Sequence, residues 1–92
     1  MNSVSIAGIN YMINKLSTES MGGLLGQADF NKQCININED ASAVTQEIAK
    51  LHEVIHIVSD AWGLNLSEAQ VKIGTHALIC FLRENPNFET AL

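Results

Sequence analysis

The sequence predicts an α+β fold in which a small antiparallel sheet of three to four strands packs on an antiparallel hairpin of two helices. Apolar and polar side chains alternate through much of residues 3–38, and this period of two is typical of strands. Beyond residue 41, apolar side chains instead recur at intervals of three and four, which is the period of an amphipathic helix. A short link at residues 63–66 divides this helical part in two, and short links join antiparallel neighbours.

The strands are expected at about residues 3–38. Residues 3–14 alternate in two phases that meet at Gly8, which predicts a turn or a bulge between two short strands. Tyr11 is expected in the core or on a strand face. Residues 15–23 carry Ser, Thr, Glu and a Gly-Gly pair, so they are expected to form a connection that Met21, Leu24 and Leu25 anchor to the core.

A second alternating run ends at residues 34–38, where Ile35 and Ile37 are expected to face inward and Asn36 and Asn38 outward. The two Asn side chains have two interpretations. They are the ordinary polar side chains of an edge strand, or they mark the edge along which an extended peptide pairs by main-chain hydrogen bonds. The first interpretation is the simpler one.

The first helix is expected at about residues 41–62, after a capping side chain at Asp40 or Ser42. Gly63 suits the left-handed conformation that ends many helices. The second helix is expected at about residues 67–84, because a capping-box pattern starts at Ser67 and Pro86 prevents continuation. The core side of this second helix is expected to comprise Ala69, Ile73, Ala77 and Cys80, with the neighbouring Leu78 and Leu82.

Composition restricts the class of protein and its partners. With 92 residues and 47% hydrophobic content, the chain is expected to form one compact domain, residues 1–92. A formal charge of −5 without a basic cluster argues against nucleic-acid binding, and no apolar run is long enough to span a membrane. Cys34 and Cys80 lie far apart in apolar surroundings, and the N-terminus lacks a secretion signal. We therefore expect reduced core cysteines in a cytoplasmic protein.

The pattern His-Glu-x-x-His at His52, Glu53 and His56 lies in the middle of the first predicted helix. Residues four apart on a helix share a face, so the two imidazoles can bind one divalent metal, usually zinc. Glu53 is then suited to take a proton from a metal-bound water. The alternative is a pair of hydrogen-bonded histidines that happen to flank a glutamate.

A catalytic zinc normally has three protein ligands, so a third ligand is expected on the second helix. If the helices are antiparallel and their ends are level, the residue opposite the histidine pair lies near position 75, which favours His76. Glu68 is the alternative, although it lies at the very start of the helix. Lys72 is a poor ligand. Asp60, four residues after His56, is a candidate to orient that imidazole by accepting its second N–H. Alternatively, it is only a polar residue near the helix end.

The alternating N-terminal strands are followed by three further segments, Leu51-His52-Glu53-x-x-His56, Gly63-Leu64-x-Leu66-Ser67-Glu68-x-x-Val71 and Leu82-Arg83-Glu84-Asn85-Pro86. Together these features resemble small phage and prophage zinc metallopeptidases, which belong with the compact, minimal gluzincin-like zincins. The resemblance covers roughly residues 4–88. It implies a small sheet on the metal-binding helix, zinc ligands at His52 and His56, a general base at Glu53, and a third ligand, usually Glu, on the second helix.

The chain departs from this family pattern at the third ligand. Some relatives carry Glu where this chain has Lys72, whose ammonium group cannot bind a metal. Glu68 fills the role, or His76 does, or the site is degenerate. His76 is otherwise an ordinary helix histidine.

Two classes of function follow. The first is a zinc-dependent peptidase that acts on a peptide or protein substrate. The second is a catalytically degenerate zincin-like module that docks to a phage or host protein, an alternative motivated by Lys72 and by the small size of the chain. The sequence leaves the substrate and the oligomeric state open.

Overall fold

The computed structural model describes residues 2–88, so residue 1 and residues 89–92 of the predicted domain lie outside the described residues. The fold is α+β, with a four-stranded mixed sheet and two helices. The strands are β1 (Ser3–Ile6), β2 (Ile9–Leu16), β3 (Gly26–Asp29) and β4 (Cys34–Asn38). The helices are α1 (Ala43–Trp62) and α2 (Glu68–Glu84).

The strand order is β1-β2-β4-β3, so β1 and β3 form the two edges. The outer pairs β1–β2 and β3–β4 are antiparallel, whereas the central pair β2–β4 is parallel. The expectation of a purely antiparallel sheet is therefore wrong at its centre. The reason is that β3 lies at the outer edge and β4 returns antiparallel to it on its inner side. β4 therefore lies between β3 and β2 and runs parallel to β2. Side-chain alternation is the same in both kinds of pair, so the sequence pattern does not distinguish them.

The turn predicted at Gly8 is confirmed. Ala7 and Gly8 form a two-residue connection between β1 and β2, with φ angles of 51° and 81°. Two successive positive φ angles are the conformation of the hairpin turn whose twist matches that of the flanking strands. Glycine adopts this conformation without steric cost.

The core lies between α1 and one face of the sheet. Tyr11 is buried there, and Ile35 and Ile37 are fully buried, as predicted. α1 contributes Ala49 and Ile57 to the same cluster. The burial of both isoleucines fixes the register of β4 beneath α1, because a slip by one residue would turn them to the opposite face.

The prediction that Asn38 faces solvent is wrong, because its side chain is 4% exposed. It accepts a hydrogen bond from Asp40 N at 2.9 Å and donates one to the Leu24 carbonyl at 3.1 Å. Asn36 is half-buried and donates to Gln27 Oε1 at 3.4 Å across the β4–β3 pair. Because both Asn residues lie on an interior strand, neither marks the sheet edge, and β3 is the edge on that side.

The predicted helix ends are confirmed within two residues. The Ser42 side chain accepts a hydrogen bond from Thr45 N at the start of α1, and Gly63 ends it with a φ of 66°. The Ser67 capping box is present in both directions with Gln70. Within residues 2–88, neither helix is long and apolar enough to cross a membrane.

The predicted core side of α2 is wrong. The buried side chains are Val71, Thr75 and Ile79, one turn apart from each other. Ile73 is 70% exposed, and the other expected core residues, Ala69, Ala77, Cys80, Leu78 and Leu82, are exposed as well. The sequence of α2 contains two possible core stripes, and the buried one is harder to recognise because it includes the polar residue Thr75. The Thr75 hydroxyl is compatible with burial because it donates a hydrogen bond to the Val71 carbonyl at 2.7 Å.

Only one of the two cysteines occupies the core. Cys34 is buried, as predicted, whereas Cys80 is exposed because it lies on the outer side of α2. Both are free thiols.

Candidate metal centre

α1 places His52 and His56 on one face, with their ring centroids 4.9 Å apart and their planes at 66°. Their side chains are 20% and 30% exposed, so both imidazoles lie at the rim of the helix surface that packs on the sheet. Their position follows from the packing of α1, since Ala49 and Ile57 on the same helix are buried in the core. The predicted placement of the two imidazoles on one face of α1 is thus present.

α2 brings Glu68 against both imidazoles. Glu68 Oε1 lies 2.7 Å from His52 Nε2, and Glu68 Oε2 lies 2.9 Å from His56 Nε2. The Glu68 side chain is 70% exposed, so its position depends on these two contacts more than on packing. One carboxylate therefore bridges the two histidines across the helix pair.

The link between the helices explains why Glu68, and not His76, reaches the histidines. Leu64 N donates to the Ser59 carbonyl at 2.9 Å, and Leu66 N donates to Ser59 Oγ at 3.0 Å. The link therefore runs back along α1 to the turn after His56, and α2 begins beside the histidines instead of level with the end of α1. The assumption of level helix ends, on which the preference for His76 rested, is wrong.

His76 lies two turns further along α2. It is exposed, and it does not belong to the group of His, Cys, Asp and Glu side chains that the described residues bring together. That group comprises His52, His56 and Glu68, whose ligand atoms all lie within 4.8 Å of one another. The alternative third ligand, Glu68, is the one that the arrangement supports.

Two imidazoles and one carboxylate fit a zinc ion in donor type and number. Ligand atoms on a tetrahedral zinc lie about 3.3 Å apart, given metal–ligand distances of about 2.0–2.1 Å. The contacts of 2.7 and 2.9 Å would need to open by about half an ångström, and the exposed Glu68 side chain has room to do so. The same contacts also provide the Nε2 atoms of both imidazoles with a hydrogen-bond acceptor. The site is therefore either a zinc centre or a hydrogen-bonded polar cluster, and a measurement of bound metal distinguishes the two.

Glu53 faces the edge strand β3 at the side of the histidine pair. It is half-buried, and the nearby Ala28 backbone N–H is among the groups that favour its ionised form. Gly26 lies so close that a Cβ atom there would approach Glu53 Oε2 to 3.2 Å and Ala49 Cβ to 3.3 Å. The absence of a side chain at Gly26 thus lets α1 and β3 approach each other and leaves room for the Glu53 carboxylate.

The two glutamates of the site have opposite electrostatic environments. Burial raises the pKa of Glu53, and the nearby Glu68 carboxylate adds to this, although His52, His56 and the Ala28 N–H oppose it. Burial also disfavours ionisation of Glu68, but hydrogen bonds and charge from His52 and His56 outweigh it and hold the pKa of Glu68 below its usual value. A pair of carboxylates whose pKa values are driven apart is typical of sites with separate acid–base and charge-holding roles.

An open cleft of about 1070 Å³ runs along these residues, between β3 and the start of α2. Asp60 and Lys72 both line it. No hydrogen bond joins the Asp60 carboxylate to His56 within residues 2–88, so the expected orienting contact is not present there. Lys72, one turn after Glu68, places an ammonium group on the cleft wall.

No protein-family model matches the chain, and neither a curated protein nor a solved structure matches it. The resemblance to small phage zinc metallopeptidases therefore stays a prediction based on residues 51–56, 63–68 and 82–86.

Sequence reasoning missed the contribution of β3. Gly26 and the Ala28 backbone position Glu53, and Leu24, Leu25 and Phe30 line the cleft. Leu24 and Leu25 were expected to anchor a loop in the core, yet they are 49% and 53% exposed. The available signal was a glycine within a short strand, which often marks a close approach of the backbone to another group.

Proposed function

We propose that this chain is a zinc-dependent peptidase of the compact zincin type, with His52, His56 and Glu68 as the zinc ligands and Glu53 as the general base. The observation that carries the proposal is the convergence of the Glu68 carboxylate on both Nε2 atoms beside Glu53 in an open cleft. Two histidines and a glutamate with an open fourth position form a known type of catalytic zinc site. Zinc bound there would polarise the scissile carbonyl and lower the pKa of water.

Glu53 would accept a proton from the attacking water and then deliver it to the leaving nitrogen. Its raised pKa suits a group that must both accept and release a proton near neutral pH. The Ala28 N–H lies beside this carboxylate, so the base adjoins the edge strand at the cleft. Glu68, whose pKa is lowered, stays ionised and suits a ligand role.

The free edge of β3 supports a peptide substrate. Asn38 N donates to the Leu25 carbonyl, so the main-chain groups of Leu25 point toward β4. In an antiparallel pair the direction alternates, so the main-chain groups of Gly26 and Ala28 point away from β4 and into the cleft. The Ala28 N–H that reaches Glu53 agrees with this direction. An extended peptide can pair with such an edge by main-chain hydrogen bonds.

The proposal includes a cytoplasmic location and a protein or peptide partner. Free Cys34 and Cys80 agree with a reducing compartment. The charge of −5 disfavours a nucleic-acid partner.

The test is elemental analysis of protein purified without added zinc, followed by cleavage of a peptide library. Wild type is expected to hold one zinc per chain, and His52→Ala/His56→Ala none. Glu53→Gln, which keeps the shape but removes the base, is expected to retain zinc and lose hydrolysis.

Equal metal content in wild type and the double histidine variant would exclude the zinc centre. Full turnover in Glu53→Gln would exclude Glu53 as the base. One zinc per chain with no cleavage of any library member would favour the degenerate, protein-binding module.

A further inference from the structure

Three large apolar side chains are exposed at the two ends of β3. Leu24 and Leu25 precede the strand and are 49% and 53% exposed, and Phe30 follows it and is 47% exposed. All three line the cleft that contains the candidate metal centre. We call them the apolar rim. Neither end of the rim is needed to cover the core, which α1 already covers.

The strand between the two ends of the rim sets their spacing. Leu25 and Phe30 are five residues apart, which corresponds to about 16 Å in extended chain at about 3.3 Å per residue. A peptide paired with β3 has the same rise per residue. It would therefore contact the two ends with side chains that are about five positions apart.

Glu53 lies between the two ends of the rim. Its carboxylate lies near the Ala28 N–H and against Gly26, and both residues belong to the strand that the rim flanks. A peptide bond beside Glu53 would thus have one apolar contact on each side. The other wall of the cleft, on α2, carries Glu68, Lys72 and His76 and offers no comparable apolar surface.

We propose that the cleft selects extended peptides that carry two large apolar side chains about five positions apart, one on each side of the scissile bond. The first side chain packs on Leu24 and Leu25, and the second packs on Phe30. The occupant is an extended peptide because the outward main-chain groups of Gly26 and the outward carbonyl of Ala28 provide its pairing edge, while the Ala28 N–H is directed at Glu53. This inference rests on the proposed peptidase function.

The test measures binding separately from cleavage. A blocked ten-residue peptide with Leu at its third and eighth positions is titrated against zinc-treated Glu53→Gln protein and against metal-free wild type. The comparison peptide has Ser at both positions. The Leu peptide is expected to bind about 100-fold more tightly, because partial burial of each of its two Leu side chains contributes roughly a tenfold gain.

Variants assign the selectivity to the rim. Leu25→Ser and Phe30→Ser are each expected to remove about tenfold of the preference for the Leu peptide. Leu64→Ser is the matched control, because Leu64 is 55% exposed but does not line the cleft. It is expected to leave the preference unchanged.

The outcomes separate this inference from the proposed function. A preference for the Leu peptide that depends on the rim, in protein that binds no zinc, would refute the peptidase and retain the apolar selection. Zinc binding and cleavage with equal affinity for the two peptides would refute the apolar selection and retain the peptidase. A preference that persists in both rim variants would also refute the inference, since other residues would then select the peptide.

Discussion

α1 and α2 both contribute to the candidate site, but the fold holds their contributions in different ways. α1 packs on the sheet through Ala49 and Ile57 and carries His52, Glu53 and His56 at the rim of that contact. α2 buries one narrow stripe and supplies a single site residue from its first position. The α1 residues are therefore positioned by the core, before any ligand binds.

Glu68 is positioned by its partners instead. Its side chain is 70% exposed, and its described contacts are those with the two imidazoles. The two sides of the candidate site thus differ: packing on the core places the histidine pair, whereas two surface contacts place the carboxylate. The predictions that follow test each side of this difference.

The largest expected effect concerns the buried stripe of α2. Ile79→Ala should destabilise the metal-free protein by about 2–5 kcal/mol, because it removes a buried side chain and leaves a cavity. Ile73→Ala is the matched control in the same helix and should change stability by less than about 0.5 kcal/mol. The two side chains are 5% and 70% exposed, respectively.

Urea unfolding of both variants gives the comparison. A larger loss for Ile73→Ala than for Ile79→Ala would mean that α2 packs through the face originally expected from its sequence. In that case Glu68 would also be turned away from the histidines.

The second prediction concerns the exposed carboxylate of Glu68. Glu68→Ala should weaken zinc binding by more than about 100-fold, because loss of an outer hydrogen-bond partner of a ligand alone costs about 10- to 100-fold. His76→Ala should leave the affinity unchanged, since His76 lies outside the ligand group. A zinc titration against a competing chelator measures both. A loss confined to His76→Ala would restore the ligand that helix geometry had favoured.

Local signals in the sequence predicted the local parts of the fold. The turn at Gly8 and the helix ends at Ser42, Gly63 and Ser67 depend on a few neighbouring residues, and each is present. The close approach of His52 to His56 is equally local, because it follows from the helical period.

The errors arose where distant segments decide the structure. The parallel β2–β4 pair depends on which side of β4 the β3 strand takes, and alternation carries no information about that. The buried face of α2 depends on how the helix meets α1, and Thr75 concealed the stripe that is used. His76 lies apart from the histidine pair because Ser59 draws the link back along α1, and no residue pattern in the link signals this.

The smallest expected effect tests the α1 side of the comparison, where Glu53 is held against β3. In Gly26→Ala the new methyl group would approach Glu53 Oε2 to 3.2 Å, so the carboxylate must shift. We expect kcat to fall by about tenfold, since a misplacement of about 1 Å costs about 100-fold. Zinc content should not change, because the proposed ligands do not contact Gly26.

Gly74→Ala is the control: a Cβ there meets no atom within 4 Å, and replacing a helical glycine should stabilise the protein by about 0.5–1 kcal/mol. Steady-state kinetics and elemental analysis of both variants measure the effect. An unchanged kcat in folded Gly26→Ala would show that the close contact with β3 does not position the base.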